Sequence, residues 1–313
     1  MKRIVWFLLF PAILSVFFSE LAIAADNPLA GVIDFHCHSG PDALQRSVSD
    51  LEIARIAQRA GMRGLVLKNH FTSTAGRAEL ARREVPGLEV FGGIVLNRAV
   101  GGLNPEAVQR MSEFEGQRGK VVWLPTFDAE NHVKYFNENR LFVSVMRDGK
   151  LAPELAEIFR IIADHDLVLA TGHCSAEESL LLIAEAKKSG VRKILVTNAM
   201  AAPIVATGNQ MKRMADLGAI IENAWSTHLS GSSALSPIQR AYKQVTPAEY
   251  AKAVKAIGAG HFLISSDLGQ YLNPLHTDGL RAFMLALKEN GLGEAEIDLM
   301  ARKNPARLLG LAD

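Results

Sequence analysis

Short apolar or β-branched runs recur along the chain at 31–38, 64–70, 90–97, 120–126, 167–173, 193–198, 219–225 and 261–267. Between them lie stretches such as "SDLEIARIAQRAG", "PELAEIFRIIADHD", "EESLLLIAEAKKSG" and "NQMKRMADLG", whose apolar residues are spaced three and four apart. That spacing predicts amphipathic helices, as does "NPEAVQRMSEFEG" over 104–116, after the third run. In "TPAEYAKAVKAIG", Thr246 is placed to cap a helix and Pro247 to open its first turn. Helices of this length suit right-handed crossovers between parallel strands. Eight such units close into a barrel, so the expected fold is α/β, a TIM-like (β/α)8 barrel.

The competing assembly, an open doubly wound sheet, lacks its glycine fingerprint. "FGGIVLNRAVGG" has glycines without the required spacing before a helix, and its Gly92-Gly93 and Gly101-Gly102 pairs read as close packing and turns. The longer, polar segment 226–245 is expected to fold partly over the strand ends.

The first 24 residues stand apart. Lys2 and Arg3 precede the apolar "IVWFLLFPAILSVFF", and Ala22-Ile23-Ala24 fits the small-x-small pattern of signal cleavage. The reading is a signal peptide at 1–24 and a single domain at 25–313, periplasmic or secreted, with no stable membrane insertion after processing. Because Lys2, Arg3 and Glu20 go with the leader, the formal charge moves from +1 to 0. A neutral chain gives no reason to expect nucleic acid as a partner, and a small-molecule substrate is expected instead. Oligomeric state is left open by the sequence. Two cysteines, Cys37 and Cys174, exclude a disulfide framework, and strands on opposite sides of a barrel would keep them apart as buried free thiols.

In a (β/α)8 barrel the site lies at the C-terminal ends of the strands, where the uncommon residues of this chain collect. Strand parity sends His36 and His38 of "DFHCHSG" to one side, and Phe35 and Cys37 to the other. His173 ends the fifth run and Asp267 the eighth. Neutral imidazole and carboxylate suit divalent zinc, manganese, iron or nickel, with zinc the first choice and one or two ions possible. Lys68 and His70 repeat the alternating geometry one strand away. A lysine in a barrel mouth must be paired or lose its charge. Carboxylation, a substrate contact or an ion pair would each satisfy it, the latter two more readily.

The HxH on the first strand, the histidine on the fifth and the aspartate on the eighth resemble the amidohydrolase superfamily of metal-dependent barrel hydrolases, from about Gly31 to Asp313. "DFHCHSGPD", "VLKNH", "LPTFDAENH" and "GHCSAEE" look like an uncharacterised family within it. The resemblance implies a divalent metal on His36, His38 and Asp267, with His173 as a ligand to the same or a second ion, and Asp267 taking a proton from the attacking water. The pattern departs at the sixth strand, where Asn198 stands in place of a histidine, and at the fourth, which offers no bridging lysine.

Beyond that strand, His132 is a candidate acid, ligand or substrate contact, and Asp128 or Glu130 could reach in from the loop. Asn97, Arg98 and Asn198 are candidate polar contacts, and Glu222 and Asn223 weaker ones. His228 falls in the covering segment. His165, His261 and His276 are read as helix end, strand start and loop. The expected activity is hydrolysis of an amide, ester or lactone by metal-activated water. Alternatives are a metal-dependent decarboxylase of the same superfamily and a non-catalytic periplasmic binding protein.

Overall fold

The structure, a computed structural model, describes residues 27–312. The expected leader at 1–24 lies outside the described residues. Among the described residues, no helix is long and apolar enough to cross a membrane.

Each of the eight apolar runs contributes a strand: β1 (Ile33–Cys37), β2 (Gly64–Leu67), β3 (Glu89–Val95), β4 (Gly119–Trp123), β5 (Val168–Ala170), β6 (Lys193–Val196), β7 (Ile220–Ala224) and β8 (Phe262–Ser265). They form one sheet in chain order, and every neighbouring pair is parallel. The helices are α1 (Asp50–Arg59), α2 (Ala75–Glu84), α3 (Pro105–Glu113), α4 (Glu130–Tyr135), α5 (Glu154–Asp164), α6 (Ala176–Lys188), α7 (Gly208–Asp216), α8 (Pro247–Ile257), α9 (His276–Glu289), α10 (Glu294–Asp298) and α11 (Asn304–Leu309). Ser49, Ser175, Thr207 and Thr246 begin α1, α6, α7 and α8 with reciprocal side-chain caps to the residue three positions on, which satisfies backbone donors that a helix start otherwise leaves unpaired.

The sheet closes where β8 meets β1. The Asp267 amide donates to the His36 carbonyl at 2.9 Å, and the His38 amide donates to the Leu268 carbonyl at 2.8 Å. The barrel interior is packed with Ile33, Phe35, Val66, Val121, Trp123, Leu195 and Leu263, in the same apolar cluster as Leu308 and Leu309 of α11. A separate, larger cluster joins the strands to the helices and includes both cysteines, which are buried and free as expected.

Parity along β1 differs from expectation at one residue. Phe35 packs inside with Ile33, while Cys37 packs outward. Asp34 pairs with Leu65 and Cys37 with Leu67, three steps on β1 against two on β2. One extra residue on β1 makes a bulge, and a bulge breaks strict alternation. Phe35 can therefore fill the barrel while His36 and His38 still face its mouth.

The paired glycines of β3 do pack closely. A Cβ on Gly93 would lie 1.9 Å from the Val121 carbonyl oxygen on β4, whereas one on Gly208 would meet nothing within 4 Å. Gly93→Ala is expected to lower stability by roughly 1–3 kcal/mol through overpacking, with Gly208→Ala close to neutral. Urea unfolding midpoints of the two variants check this, and equal midpoints would contradict it.

Candidate metal centre

The bulge in β1 is held by Asp34, whose carboxylate accepts from the His36 amide at 3.3 Å and from the Ser266 amide, beyond β8, at 2.9 Å. Burial pushes the Asp34 carboxyl above its ordinary value, and these bonds only partly oppose it. One side chain thus ties the histidine strand to the aspartate strand. Asp267, just past β8, adopts a left-handed backbone with φ 47°, and its Oδ1 lies 3.2 Å from His36 Nε2 and 3.1 Å from His38 Nε2. The ligand atoms of His36, His38 and Asp267 lie within 4.8 Å of one another.

Both imidazoles are oriented from behind. His36 Nδ1 lies 2.9 Å from Glu222 Oε1 of β7, and Ser265 Oγ donates to the same oxygen at 2.7 Å. His38 Nδ1 lies 3.1 Å from the Lys68 carbonyl. A carbonyl or carboxylate facing Nδ1 requires the proton there, leaving the lone pair on Nε2. Burial, and after it the Arg46 guanidinium, push His38 well below its ordinary value, so its ring is neutral. A lone pair on His38 Nε2 then confronts a carboxylate oxygen at 3.1 Å, two acceptors that a shared cation reconciles. The spacing matches donors about 2.1 Å from one ion, which sit roughly 3–3.4 Å apart. The residues present therefore fit a single divalent ion. The Asn198 amide donates from Nδ2 to Asp267 Oδ2 at 2.9 Å, while its own Oδ1 is buried without a partner among the described residues.

Asp267 is charged. Burial pushes its carboxyl up, but the charged and hydrogen-bonding groups around it, the Lys68 ammonium among them, outweigh that and hold it well below the usual carboxylate range. Lys68 faces the mouth as expected, with Nζ 3.0 Å from His36 Nε2 and over the Trp123 ring at 5.3 Å. Burial lowers its pKa, and Asp267 and Glu222 partly restore it. A metal on His36 Nε2 and the Lys68 ammonium are alternative partners for one lone pair.

His173 lines the same pocket but stands outside the three-residue group. β5 ends at Ala170, and Gly172 turns the chain at φ 62°, so strand parity no longer governs His173. Its Nδ1 is instead 2.8 Å from Nδ1 of His132, and the rings stack at 4.9 Å. Burial lowers both, His173 well below its ordinary value and His132 to about 4. His70 stacks on His38 at 4.9 Å and bonds Thr126 Oγ1 at 2.9 Å.

Other candidates lie elsewhere. Asn97 is buried in bonds to the His70 carbonyl and Thr126. Arg98 is exposed. Glu130 turns to Lys134 at 2.5 Å, and Asp128 to Arg140 at 2.5 Å. His228 packs against the Trp225 ring, tilted at 39°. The inward residue at the end of β4 is Trp123, where a bridging lysine was sought. Segment 226–245 does supply pocket wall, through Ser226, Thr227, Ser230, Ile238, Gln239 and Tyr242. Glu222, a weaker candidate in the sequence, sits behind His36, and an acid within the apolar β7 is the signal that marks it. His276, read as a loop residue, opens α9 and bonds the His38 carbonyl at 3.1 Å.

A closed parallel barrel with this donor set at its C-terminal mouth is a (β/α)8 barrel of the amidohydrolase type carrying a candidate metal site. The chain belongs to the family of unknown function DUF6282, which matches residues 31–222. No curated protein matches it. Among solved structures, the organophosphorus hydrolase of Deinococcus radiodurans is similar at 16% identity and TM-score 0.57, covering 91% of this chain and 94% of that one. The phosphotriesterase homology protein of Escherichia coli, complexed with phosphate in its active site, is similar at 15% identity and TM-score 0.59, covering 90% and 99%. At such identities the likeness is one of fold.

Glu222→Gln keeps the shape behind His36 but removes the carboxylate. Metal affinity, read by chelator competition, is expected to fall about 10–100-fold; an unchanged affinity would contradict the orienting role.

Proposed function

We propose that the protein is a metal-dependent hydrolase of a small molecule, cleaving a carbonyl-centred amide, ester or lactone bond with water. The observation that carries this reading is the convergence of His36 Nε2, His38 Nε2 and the Asp267 carboxylate at the barrel mouth, on opposite sides of the closing seam. His36, His38 and Asp267 would hold one divalent ion, zinc being the first choice. Such an ion supplies Lewis acidity, lowering the pKa of water and polarising a carbonyl. Asp267 is the base: its Oδ1 faces the histidines and its Oδ2 is fixed by Asn198, so the carboxylate is oriented to accept a proton from water and return it to the leaving group. His173, neutral and paired with His132, can hand a proton across the opposite wall. The pocket is small, about 70 Å³, which confines the site to a small substrate.

Trp123 at the end of β4 favours one ion over two, because an indole cannot bridge metals. A single ion also suits decarboxylation of a carboxylic acid, the second reading. The test is elemental analysis of zinc-loaded protein followed by assays across ester, amide, lactone and carboxylic-acid panels. One ion per chain is expected, with turnover that Asp267→Asn lowers about 10²–10⁴-fold. Zinc bound without turnover on any panel would favour a binding protein and overturn the reading.

A further inference from the structure

The loop from β1 to α1 carries a cation aimed at this pocket. Arg46 lines it together with His36, His38 and Asp267, and its side chain is 4% exposed. The loop is pinned across the closing seam. Ser47 donates from its amide to the Gly269 carbonyl at 3.0 Å and from Oγ to the Gln270 carbonyl at 3.0 Å, and Arg46 bridges Gln270. One edge of the guanidinium is used for structure, Nε donating to Asp42 Oδ2 at 2.6 Å. Nη2 is buried and has no partner among the described residues. A buried, charged donor without an acceptor is costly, and neighbouring amides do not compete for its role. Gln270 Nε2 is spent on the Asp267 carbonyl at 2.8 Å, and Gln239 Nε2 on the Ser226 carbonyl at 2.9 Å.

We propose that Arg46 recognises a carboxylate on the substrate, so that the pocket selects small carboxylic acids whose reacting group lies toward His36, His38 and Asp267. This rests on the hydrolase reading above. A carboxylate fits better than a phosphate, because Asp42 already takes one edge of the fork and a phosphate dianion asks for several charge-assisted donors.

The test uses the full chain, zinc-loaded and chelator-treated, titrated calorimetrically with malonate, succinate, glutarate and inorganic phosphate. At least one dicarboxylate is expected to bind the zinc-loaded protein more tightly than phosphate. Arg46→Ala should weaken that binding about tenfold or more, with a smaller loss in Arg46→Lys, which keeps a cation beside Asp42 if the alanine variant fails to fold. Zinc content should be unchanged in both. Equal affinities in wild type and variants, tighter phosphate than dicarboxylate binding, no dicarboxylate binding, or zinc loss in a folded variant would each overturn the assignment. If the wild type takes up no zinc, the metal reading fails separately. The chelator-treated titrations then decide Arg46 alone, an Arg46-dependent affinity supporting it and an independent one overturning it.

Discussion

The site depends on two backbone hydrogen bonds, from the Asp267 amide to the His36 carbonyl and from the His38 amide to the Leu268 carbonyl. They are the seam that turns a row of parallel strands into a barrel, and they bring together residues more than 220 positions apart in sequence. Asp34 reinforces them from inside the protein by accepting from both strands. With the seam in place, the positions of Glu222 behind His36, Asn198 behind Asp267 and the pinned Arg46 loop follow from their own strand ends. Without it, His36 and Asp267 would sit at opposite edges of an open sheet.

Electrostatics at the mouth is divided by side. Burial keeps His38, His70 and His173 neutral, the state in which imidazole binds metal. Asp267 remains ionised because its surroundings, the Lys68 ammonium among them, outweigh its burial. Lys68 is the group whose position is most sensitive to an ion, since it shares the His36 lone pair. The centre thus sets imidazole nitrogens around one carboxylate, with Lys68 and Arg46 lining the same pocket.

The eight strands were legible because each is a short apolar run bounded by helical spacing, and the histidine pair and Asp267 were legible because both stand at strand ends. Phe35 was misread because a bulge depends on the pairing of two strands, which no local pattern records. His173 was read as the end of the fifth strand, yet that strand stops at Ala170 and Gly172 turns the chain before it. Glu222 was visible as an acid in an apolar strand, but its partner lies 186 residues earlier. Arg46 carries no motif; its meaning comes from an unspent Nη2 beside a spent Nε, which only packing reveals.

The most direct test of the central claim is a crystal structure of the protein grown with zinc, with anomalous diffraction recorded at the zinc edge. One peak is predicted within about 2.0–2.3 Å of His36 Nε2, His38 Nε2 and the Asp267 carboxylate. No peak between those three residues, or a peak only at the His132 and His173 pair, would contradict it.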